Sequence, residues 1–379
     1  MAHADHLTPD QIHRALTLRD LTDPAHGPHA MQLMLDAVVT ALREEWHNTP
    51  CRGSLRYVRD SPLVAVRDNY DRLGYDLGDV TRARRYTRYV SPTVMLRSHT
   101  SAQVPAVLDD YAGREGTGID ELIVVPGLVY RRDAVDASHV GEPHQVDLWR
   151  LRDAPDLDDA AMLRMIERLV HAVLPGADWK VTEVEHPYTM GGRQIDVRRE
   201  GQWLELAECG RIHPAVLRGS GLDPDRWSGL ALGMGLERAL MLRKAIPDIR
   251  YLRATDPRIA QQMLTLEPWQ PVSMLPPARR DISVVVGAEE DEETLGDRIR
   301  EALGDDAEVI EQVQVLGRTL HEELPLAARE RLGTRQGQVN LLLRIILRPI
   351  DRTLTSQEAN AIRNRIYGAV HEGPVLELI

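Results

Sequence analysis

The sequence predicts an α+β protein in which an antiparallel sheet flanked by helices is followed by a smaller domain. Several strand-like stretches between residues 120 and 235 follow one another with few helices between them, which is typical of an antiparallel sheet and not of a doubly wound one. The segment 267–277, EPWQPVSMLPP, holds four prolines and predicts a linker. Beyond it the order of strands and helices changes.

The larger, first part contains two long helical patterns and six strand patterns. Apolar residues recur at helical spacing in HAMQLMLDAVVTALREEW, and the second helix closes on a Pro-Gly pair. The region 50–90 is rich in Arg and Asp without clear periodicity, and no elements are assigned there. Helices are predicted at 29–46, 157–176 and 236–245, strands at 144–152, 179–185, 193–199, 202–210 and 229–235, and a strand pair or a strand running into a loop at 121–133.

The second part predicts a compact βαββαβ arrangement. Strands are expected at 280–287, 308–317, 338–348 and 375–378, and helices at 291–303 and 354–370. This order within about 100 residues is the ferredoxin-like split βαβ.

Composition excludes several classes of protein. Of 379 residues, 43% are hydrophobic and 27% charged, as in ordinary globular proteins, and no apolar stretch approaches the roughly 20 residues that span a bilayer. The polar N-terminus, MAHADHLTPDQ, and the two cysteines indicate a cytoplasmic protein without a disulfide framework. The net charge of -12 does not exclude nucleic acid, because a local basic face is sufficient.

The first candidate site is the segment 130–147, YRRDAVDASHVGEPHQVD. Arg131 stands at the end of a predicted strand, where its planar guanidinium would match phosphate oxygens. Gln145 and Asp147 are two residues apart on the returning strand and point to the same face. An amide beside a carboxylate suits a substrate ammonium group. An exposed charged hairpin is the alternative interpretation of this segment alone.

The second candidate site is the segment 229–242, GLALGMGLERALML. Gly233 and Gly235 would let a ligand lie close to the strand, where a Cβ would collide with it. Arg238 then opens a helix, where it could reach a terminal phosphate. A nucleotide-type loop and a simple tight turn are equally good interpretations of the glycines alone.

The third candidate site is the segment 96–108, LRSHTSAQVPAVL. His99, Thr100 and Ser101 come just before a predicted helix, so their side chains could cap that helix or bind a ligand. Capping is the expectation when the segment is taken alone.

Together and in this order, these segments resemble the phenylalanine–tRNA ligase family. The segment 130–147 looks like the family's motif 2, with Arg131 and Asp133 as its arginine and acidic residue. GMGLER at 233–238 looks like motif 3, and LRSHTSA like the His-Thr-Ser segment that holds the ammonium end of the amino acid. The resemblance covers roughly residues 90–379, including the stretches 203–235, 246–250, 279–286 and 351–366.

The resemblance implies a class II fold and an enzyme that uses ATP and Mg²⁺ to form an aminoacyl-adenylate and then charges tRNA. By this resemblance Arg131 and Arg238 would be the catalytic residues. Arg131 would contact the α-phosphate and Arg238 the terminal phosphate. The further implied roles are amino-acid binding by His99, Ser101, Gln145, Asp147, Leu230, Leu232 and Gly233, ATP binding by Arg131, Asp133, His139, Glu205, Gly235 and Arg238, and Mg²⁺ binding by Glu205.

The resemblance also implies a domain organisation and partners. The fused arrangement looks like that of the single-chain organellar enzymes. Expected partners are an amino acid and tRNA, with tRNA-Phe as the first candidate, and neither DNA nor a membrane; monomer and homodimer both remain open. The expected domains are an N-terminal helical region at 1–90, a class II catalytic domain at 91–266, the linker at 267–277 and a ferredoxin-like anticodon-binding domain at 278–379.

Arginines concentrate in the last part of the chain. The segment 329–365 holds eight Arg against three acidic residues, which predicts a local basic surface for a phosphate backbone. The acidic segment 289–323 is expected to face away from tRNA, and a mixed solvated surface is the alternative. Contact with tRNA is predicted for Arg344, Arg348, Arg352, Arg363 and Arg365.

The sequence departs from the family where the amino-acid pocket is expected. Leu230 and Leu232 stand where the family commonly has Phe, Pro143 where an aromatic ring usually stacks on adenine, and Asp147 where it has Glu. Two lost aromatic contacts would remove about 0.5–1.5 kcal/mol each. The whole chain contains no Phe, which gives these changes two explanations.

One explanation is a pocket suited to another substrate. The other is that every Phe was removed together, so that the enzyme can be translated when charged phenylalanine tRNA is scarce. We favour the second, because strands in both domains carry Leu, Val and Tyr where the family often has Phe.

Two other functions stay open beside phenylalanine–tRNA ligation. One is activation of a nonstandard amino acid for a biosynthetic pathway, and the other is a non-catalytic tRNA-binding paralogue. Retention of Arg131, Glu237 and Arg238 argues against the paralogue, because a binding module needs no triphosphate clamp.

Overall fold

The computed structural model describes residues 6–46, 53–83, 86–114, 116–132, 134, 136–272, 275–350 and 352–374. The chain divides into two compact units. The first unit comprises Met1–Arg131, Glu142–Ile246 and Met263–Trp269, and the second comprises Arg132–Gly141, Pro247–Gln262 and Gln270–Ile379. The second unit thus includes two segments that precede the predicted linker, so one cut at 267–277 does not describe the division.

A mixed, mainly antiparallel sheet of seven strands forms the centre of the first unit within the described residues. The strands run in space as β1-β4-β5-β9-β8-β7-β6, and only β1 and β4 are parallel neighbours in it. A separate small pair joins β2 and β3. The predicted antiparallel sheet flanked by helices is confirmed. The strands are β1 (Ser54–Tyr57), β2 (Leu63–Ala65), β3 (Val94–Leu96), β4 (Asp120–Leu128), β5 (His144–Arg152), β6 (Trp179–Glu183), β7 (Thr189–Arg199), β8 (Gln202–Ile212) and β9 (Ser228–Gly235).

The helices of the first unit arise where apolar residues repeat at helical spacing. The clearest begins after Asp158, whose carboxylate accepts a 2.8 Å hydrogen bond from the Ala161 N–H, satisfying a free donor of the first turn. This helix contacts β7 and β8 and the second helix of the chain. The α-helices are α1 (Pro9–Thr17), α2 (Ala30–Trp46), α3 (Val66–Asn69), α4 (Val104–Asp109), α5 (Asp159–Val173), α6 (Pro214–Gly219) and α7 (Leu236–Lys244).

A buried ion pair fixes the register between β4 and β5. Arg150 donates from Nε and Nη2 to the two carboxylate oxygens of Asp120, at 2.8 and 2.7 Å, and both side chains are buried. The Arg150 guanidinium also lies 4.3 Å from the ring centre of Trp46 at the end of α2. Bidentate pairing of this kind has strict geometry, so it holds β5, which carries candidate site residues, in one position.

The second unit packs two helices on a three-stranded antiparallel sheet of order β10-β12-β11 within the described residues. The described order β10-α9-β11-α10-β12-α11 agrees with the first five elements of the predicted βαββαβ arrangement, apart from the added helix α10. The predicted last strand, 375–378, lies outside the described residues, so the complete ferredoxin-like fold stays a prediction. The elements are α8 (Pro257–Ala260), β10 (Ala278–Gly287), α9 (Glu292–Leu303), β11 (Ile310–Leu320), α10 (Leu326–Leu332), β12 (Gln338–Leu347) and α11 (Ser356–Val370).

Short 3-10 helices connect many of these elements, and several stand in regions where the sequence shows no periodicity. Two of them lie in the region 50–90, together with β1, β2 and α3. Within the described ranges no helix is long and apolar enough to cross a membrane. The 3-10 helices are Pro24–His26, Asp71–Leu73, Val80–Arg82, Thr100–Gln103, Ile249–Arg253, Gln261–Leu264, Gly304–Val309 and His321–Glu323.

Candidate functional site

The strands β5 and β9 build an open trough on one face of the first unit's sheet. Gln145 pairs with Gly235 and Asp147 with Gly233, so the two polar side chains stand beside two positions that have none. A Cβ added at either glycine would meet no atom within 4 Å. The sequence prediction that these glycines leave room for a ligand therefore agrees with the geometry.

Asp147 is the buried carboxylate of this trough. Its oxygens accept hydrogen bonds from Thr100 Oγ1 at 2.5 Å, Ser101 Oγ at 2.8 Å and Trp149 Nε1 at 2.9 Å. Burial raises the pKa of Asp147, while the bonds from Thr100, Trp149 and Ser101 oppose that rise. Three donors aimed at one carboxylate stabilise its charged form. Asp147 is thus a preorganised acceptor.

The contacts of Asp147 correct the expectation that the His-Thr-Ser segment caps a helix. Thr100 and Ser101 direct their hydroxyls to Asp147, and no side-chain cap bond comes from His99. The reason is that residues 100–103 form a 3-10 turn leading into α4, which turns the two hydroxyls toward the sheet. Both hydroxyls thus hold Asp147, and a ligand-binding role for this segment stays a prediction.

His99 and Arg131 lie beside this carboxylate group. Burial, followed by the charge of Arg131, lowers the pKa of His99 to about 3, so the imidazole is neutral near pH 7. The ring of His99 stacks on Tyr75 at 5.8 Å between centroids. Arg131 Nε donates a 2.8 Å hydrogen bond to the Ser98 carbonyl, which ties the predicted motif 2 arginine to the His-Thr-Ser segment.

Arg97 is a buried arginine that sequence reasoning did not single out. It donates from Nε to the Leu128 carbonyl at 2.8 Å and from Nη1 to Gln103 Oε1 at 2.6 Å. Gly127, at φ +134°, leaves the space that the guanidinium of Arg97 fills. These bonds join β4 to the turn that carries Thr100 and Ser101, so Arg97 positions that turn.

A second network behind the trough joins β5 to α7. Glu237 accepts from the backbone N–H of His144 at 2.9 and 2.8 Å and lies 2.6 Å from His144 Nδ1. His144 Nε2 accepts a 2.9 Å bond from the Leu21 N–H. Because Nε2 accepts, the proton of a neutral ring sits on Nδ1 and is donated to Glu237. The resemblance placed Glu237 in motif 3, and sequence reasoning named no partner for it.

Arg238 and Glu205 are exposed at the edge of the same unit. Arg238 Nη1 lies 3.5 Å from Glu205 Oε1, and about half of each side chain is exposed. An exposed arginine with one long ion pair can exchange that partner for a phosphate. Glu205 was predicted as a Mg²⁺ ligand; across the described ranges no cluster of three or more His, Cys, Asp or Glu residues could hold a metal.

A small cavity opens beside Asp147. Its volume is about 10 Å³, and its walls include Asp147, His186, Tyr188, Glu208 and Ala231. The ring of Tyr188 stacks on Trp149 at 6.1 Å between centroids and lies tilted by 34° against Tyr75 at 6.3 Å. Sequence reasoning missed His186 and Tyr188, although an aromatic residue inside the turn sequence EHPYTMGG between two strands was the available signal.

The predicted pocket residues Leu230 and Leu232 are only partly supported. Leu230 pairs with Arg150 and Leu232 with Leu148, so alternation along the strand directs both side chains away from the Asp147 face. Leu232 borders the cavity next to Gly233, whereas Leu230 does not. The side chain at this point that faces Asp147 is Ala231, the partner of Trp149. The two leucines are buried on the other face of the sheet.

The family of this fold follows from comparison with known proteins. The family profile "tRNA synthetases class II core domain (F)" matches residues 39–263, more than half of the chain. This chain belongs to the phenylalanine-type class II tRNA synthetases. The match contains the trough, Asp147, His99, Arg131 and Arg238, so the residues described above are those of the family's core domain.

The relatives of this synthetase include alpha subunits of phenylalanine–tRNA ligases and phenylalanine–tRNA ligases of organelles. It is 36% identical over 194 residues to the phenylalanine–tRNA ligase alpha subunit of Prochlorococcus marinus (strain MIT 9313), covering 51% of this chain and 56% of that protein. It is 26% identical over 332 residues to the chloroplastic/mitochondrial phenylalanine–tRNA ligase of Arabidopsis thaliana, with 84% and 71% covered. A mitochondrial phenylalanine–tRNA ligase of Dictyostelium discoideum is 25% identical over 365 residues, with 80% and 74% covered. The synthetase spans little more than half the length of the alpha subunits that it matches.

His139, predicted to bind ATP, belongs to the second unit of this synthetase. Its Nδ1 lies 2.7 Å from Asp136 Oδ2. Burial alone would raise the pKa of Asp136, but hydrogen bonds from His139 and Ser138 hold it well below its usual range. Asp133, the acidic residue expected for ATP, lies outside the described residues. The roles of His139 and Asp133 stay predictions.

The arginines predicted to bind tRNA are mostly paired with carboxylates in the synthetase's second unit. Arg344 makes a bidentate bond to Asp281 at 2.9 and 2.8 Å. Arg352 bonds Glu358 at 2.8 Å, and Arg348 lies 2.8 Å from Glu311. Arg365 pairs with Asp306. By contrast, Arg363 donates to the neutral amide oxygen of Asn364.

These ion pairs correct the expected separation of a basic surface from the acidic segment 289–323. Glu311 and Asp306 belong to that segment and contact Arg348 in the turn after β12 and Arg365 in α11. The physical reason is that β11 pairs with β12 and α11 packs beside α9, which brings charges of opposite sign together. A local count of charges along the sequence does not detect this pairing.

Proposed function

We propose that this synthetase activates phenylalanine, or a close aromatic analogue, with ATP as an aminoacyl-adenylate and transfers it to the 3′-terminal ribose of tRNA, with tRNA-Phe as the first candidate. The observation that carries the proposal is the buried carboxylate of Asp147, held by Thr100 and Ser101 beside two glycines with open space above them. The names of the relatives supply the amino acid.

The amino-acid end of the substrate fits the trough. The ammonium group would bind Asp147, because a charged donor favours a carboxylate that already accepts hydrogen bonds. Gln145, on the same face two residues earlier, offers an amide to the same end of the substrate. Ser101 and neutral His99 would complete its surroundings, since His99 with its pKa lowered to about 3 adds no positive charge near the ammonium group.

Arginines on both sides of the trough suit the triphosphate. In the first step a carboxylate oxygen of the amino acid attacks the α-phosphorus, the bond from that phosphorus to the bridging oxygen breaks, and pyrophosphate leaves. Arg131 would stabilise the charge on the α-phosphate and Arg238 the terminal phosphate, while Gly235 lets the nucleotide lie close to the strand. In the second step a ribose hydroxyl of tRNA attacks the acyl carbon and AMP leaves. Most of the rate enhancement then comes from positioning.

At this site a Mg²⁺ ion would have to be held jointly by a protein carboxylate and the phosphates of the substrate. Mg²⁺ commonly takes one or two protein carboxylates together with substrate phosphates. Glu205, exposed beside Arg238, is a suitable carboxylate of this kind. When bound, the ion neutralises phosphate charge. With the triphosphate bound, Glu205 would give up its 3.5 Å contact with Arg238 and bind the ion, while Arg238 would bind the terminal phosphate.

The test is amino-acid-dependent exchange of pyrophosphate into ATP, followed by charging of tRNA. Wild type should show exchange that depends on an aromatic amino acid, and Arg131→Ala should lose it by about a hundredfold or more, the usual effect of removing one charge-stabilising donor. Arg218→Ala, at an exposed position of α6, is the matched control and should be unaffected. Absence of exchange with every amino acid would overturn the proposal.

A further inference from the structure

The cavity beside Asp147 has a polar side, where a phenyl ring would need apolar contacts, and a second side formed by Cys209, Ala231, Leu232 and Gly233. On the polar side, besides Asp147, stand His186, Tyr188, Thr189 and Glu208, each of which carries a hydrogen-bonding group. Its volume of about 10 Å³ is about that of one water, whereas a site that binds benzene offers about 150 Å³. A substrate side chain must therefore displace part of this wall and satisfy the groups that it touches.

The polar groups of the wall form one connected chain. His186 Nε2 lies 2.8 Å from Glu208 Oε2, and Thr189 Oγ1 lies 3.4 Å from His186 Nδ1. The hydrogen bond from His186 lowers the pKa of Glu208, so Glu208 is a carboxylate at neutral pH. Among the described residues, His186 bonds Oε2 of Glu208, so Oε1 can accept a hydrogen bond from a group in the cavity.

Strand register places Glu208 on the same face of the sheet as Asp147. Glu208 pairs with Gly233 on β9, and Gly233 pairs with Asp147 on β5, so the two carboxylates lie on the same face with a residue lacking a side chain between them. One carboxylate can hold the ammonium group while the other meets the side chain. The ring of Tyr188, 5.5 Å from that of His186, adds an aromatic wall.

We propose that this pocket selects an aromatic amino acid with a hydrogen-bond donor on its ring, such as a phenolic hydroxyl, over phenylalanine itself. The donor hydroxyl bonds the Glu208 carboxylate, and the ring stacks against Tyr188. An unsubstituted ring covers the same carboxylate without giving it a bond, and an unsatisfied buried acceptor costs a factor of about ten to a hundred in binding. This inference rests on the proposed function, whose chemistry it leaves unchanged.

The test compares kcat/KM for pyrophosphate exchange with phenylalanine, tyrosine and 3-hydroxyphenylalanine. At least one hydroxylated ring should exceed phenylalanine by about tenfold or more, as expected for a site that bonds a substrate hydroxyl. Equal or higher kcat/KM with phenylalanine would overturn the inference and leave the proposed function standing. Absence of pyrophosphate exchange with every amino acid would overturn both this inference and the proposed function.

Variants separate the pocket from the rest of the enzyme. Glu208→Leu should erase the preference for a hydroxylated ring, and Glu208→Gln, which keeps the volume and an acceptor, should reduce it by less. Glu183→Gln on β6, with a carboxylate that is 89% exposed, is the control and should keep the preference. Full retention of the preference in both Glu208 variants would refute the assignment, and if Glu208→Leu does not fold, Glu208→Gln and the wild-type comparison still decide it.

Discussion

The carboxylate of Glu237 binds both the ring and the backbone of His144. One carboxylate oxygen lies 2.6 Å from His144 Nδ1, and the His144 backbone N–H donates to the carboxylate at 2.8 and 2.9 Å. Both side chains are buried. Glu237 is the neighbour of Arg238 at the start of α7, and His144 is the neighbour of Gln145 at the start of β5. The pair therefore sets the spacing between a proposed phosphate contact and a proposed amino-acid contact.

Glu237→Gln should weaken this junction. The amide loses the negative charge and puts an NH₂ donor in place of one of the two oxygens that now lie against the His144 backbone N–H, and the loss should be about 1–3 kcal/mol in the free energy of unfolding. Because Arg238 follows directly, KM for ATP should rise more than KM for the amino acid. Urea unfolding and pyrophosphate exchange measure the two effects, with exposed Glu167→Gln on α5 as the control. If Glu237→Gln lost stability but kept the wild-type KM for ATP, Glu237 would have a structural role and would not position Arg238.

Asp147→Asn should act on the amino acid and spare ATP. The amide keeps similar volume but removes the charge that would meet an ammonium group, and its NH₂ replaces one of the two oxygens that now accept from Thr100 and Ser101. KM for the amino acid should rise by a factor of about ten to a hundred, and KM for ATP should change little. Asp156→Asn, an exposed carboxylate paired with Arg152, is the control. An equal rise in both KM values would show that Asp147 does not bind the amino acid.

The sequence predicted most of the long elements and the chemical character of the trough, because these depend on local patterns. Strand alternation places Gln145 and Asp147 on one face, and the glycines of GLALGMG supply the opening. Leu230 and Leu232 were assigned to the pocket from the family resemblance, although alternation along β9 directs them away from the face that carries Gly233 and Asp147. The ion pairs of Arg348 and Arg365, by contrast, depend on distant partners that one segment does not reveal.

His99 should make stability depend on pH. Its pKa in the folded protein is lowered from 6.5 to about 3, mainly by burial, so between these values the unfolded chain binds more protons than the folded one. Stability therefore falls as the pH decreases from 6.5 toward 3. His99→Gln should lose less stability than wild type between pH 6.5 and pH 4 in urea unfolding, and the exposed His171→Gln on α5 should behave as wild type. Identical pH dependence in His99→Gln and wild type would contradict the depressed pKa.

Arg363 and Arg344 should differ in their contribution to tRNA binding. Arg344 is neutralised by a bidentate bond to Asp281, whereas the partner of Arg363 among the described residues is the neutral amide oxygen of Asn364, so its charge stays available to phosphate. Arg363→Ala should weaken binding and lower the slope of log K against log salt by about 0.7–0.9 for a lost phosphate contact, while Arg344→Ala should change the slope less. Asp281→Asn should then strengthen binding by releasing Arg344. Titrations of tRNA at several salt concentrations measure these slopes, and a larger effect of Arg344→Ala than of Arg363→Ala would show that the ion pair with Asp281 opens in the complex.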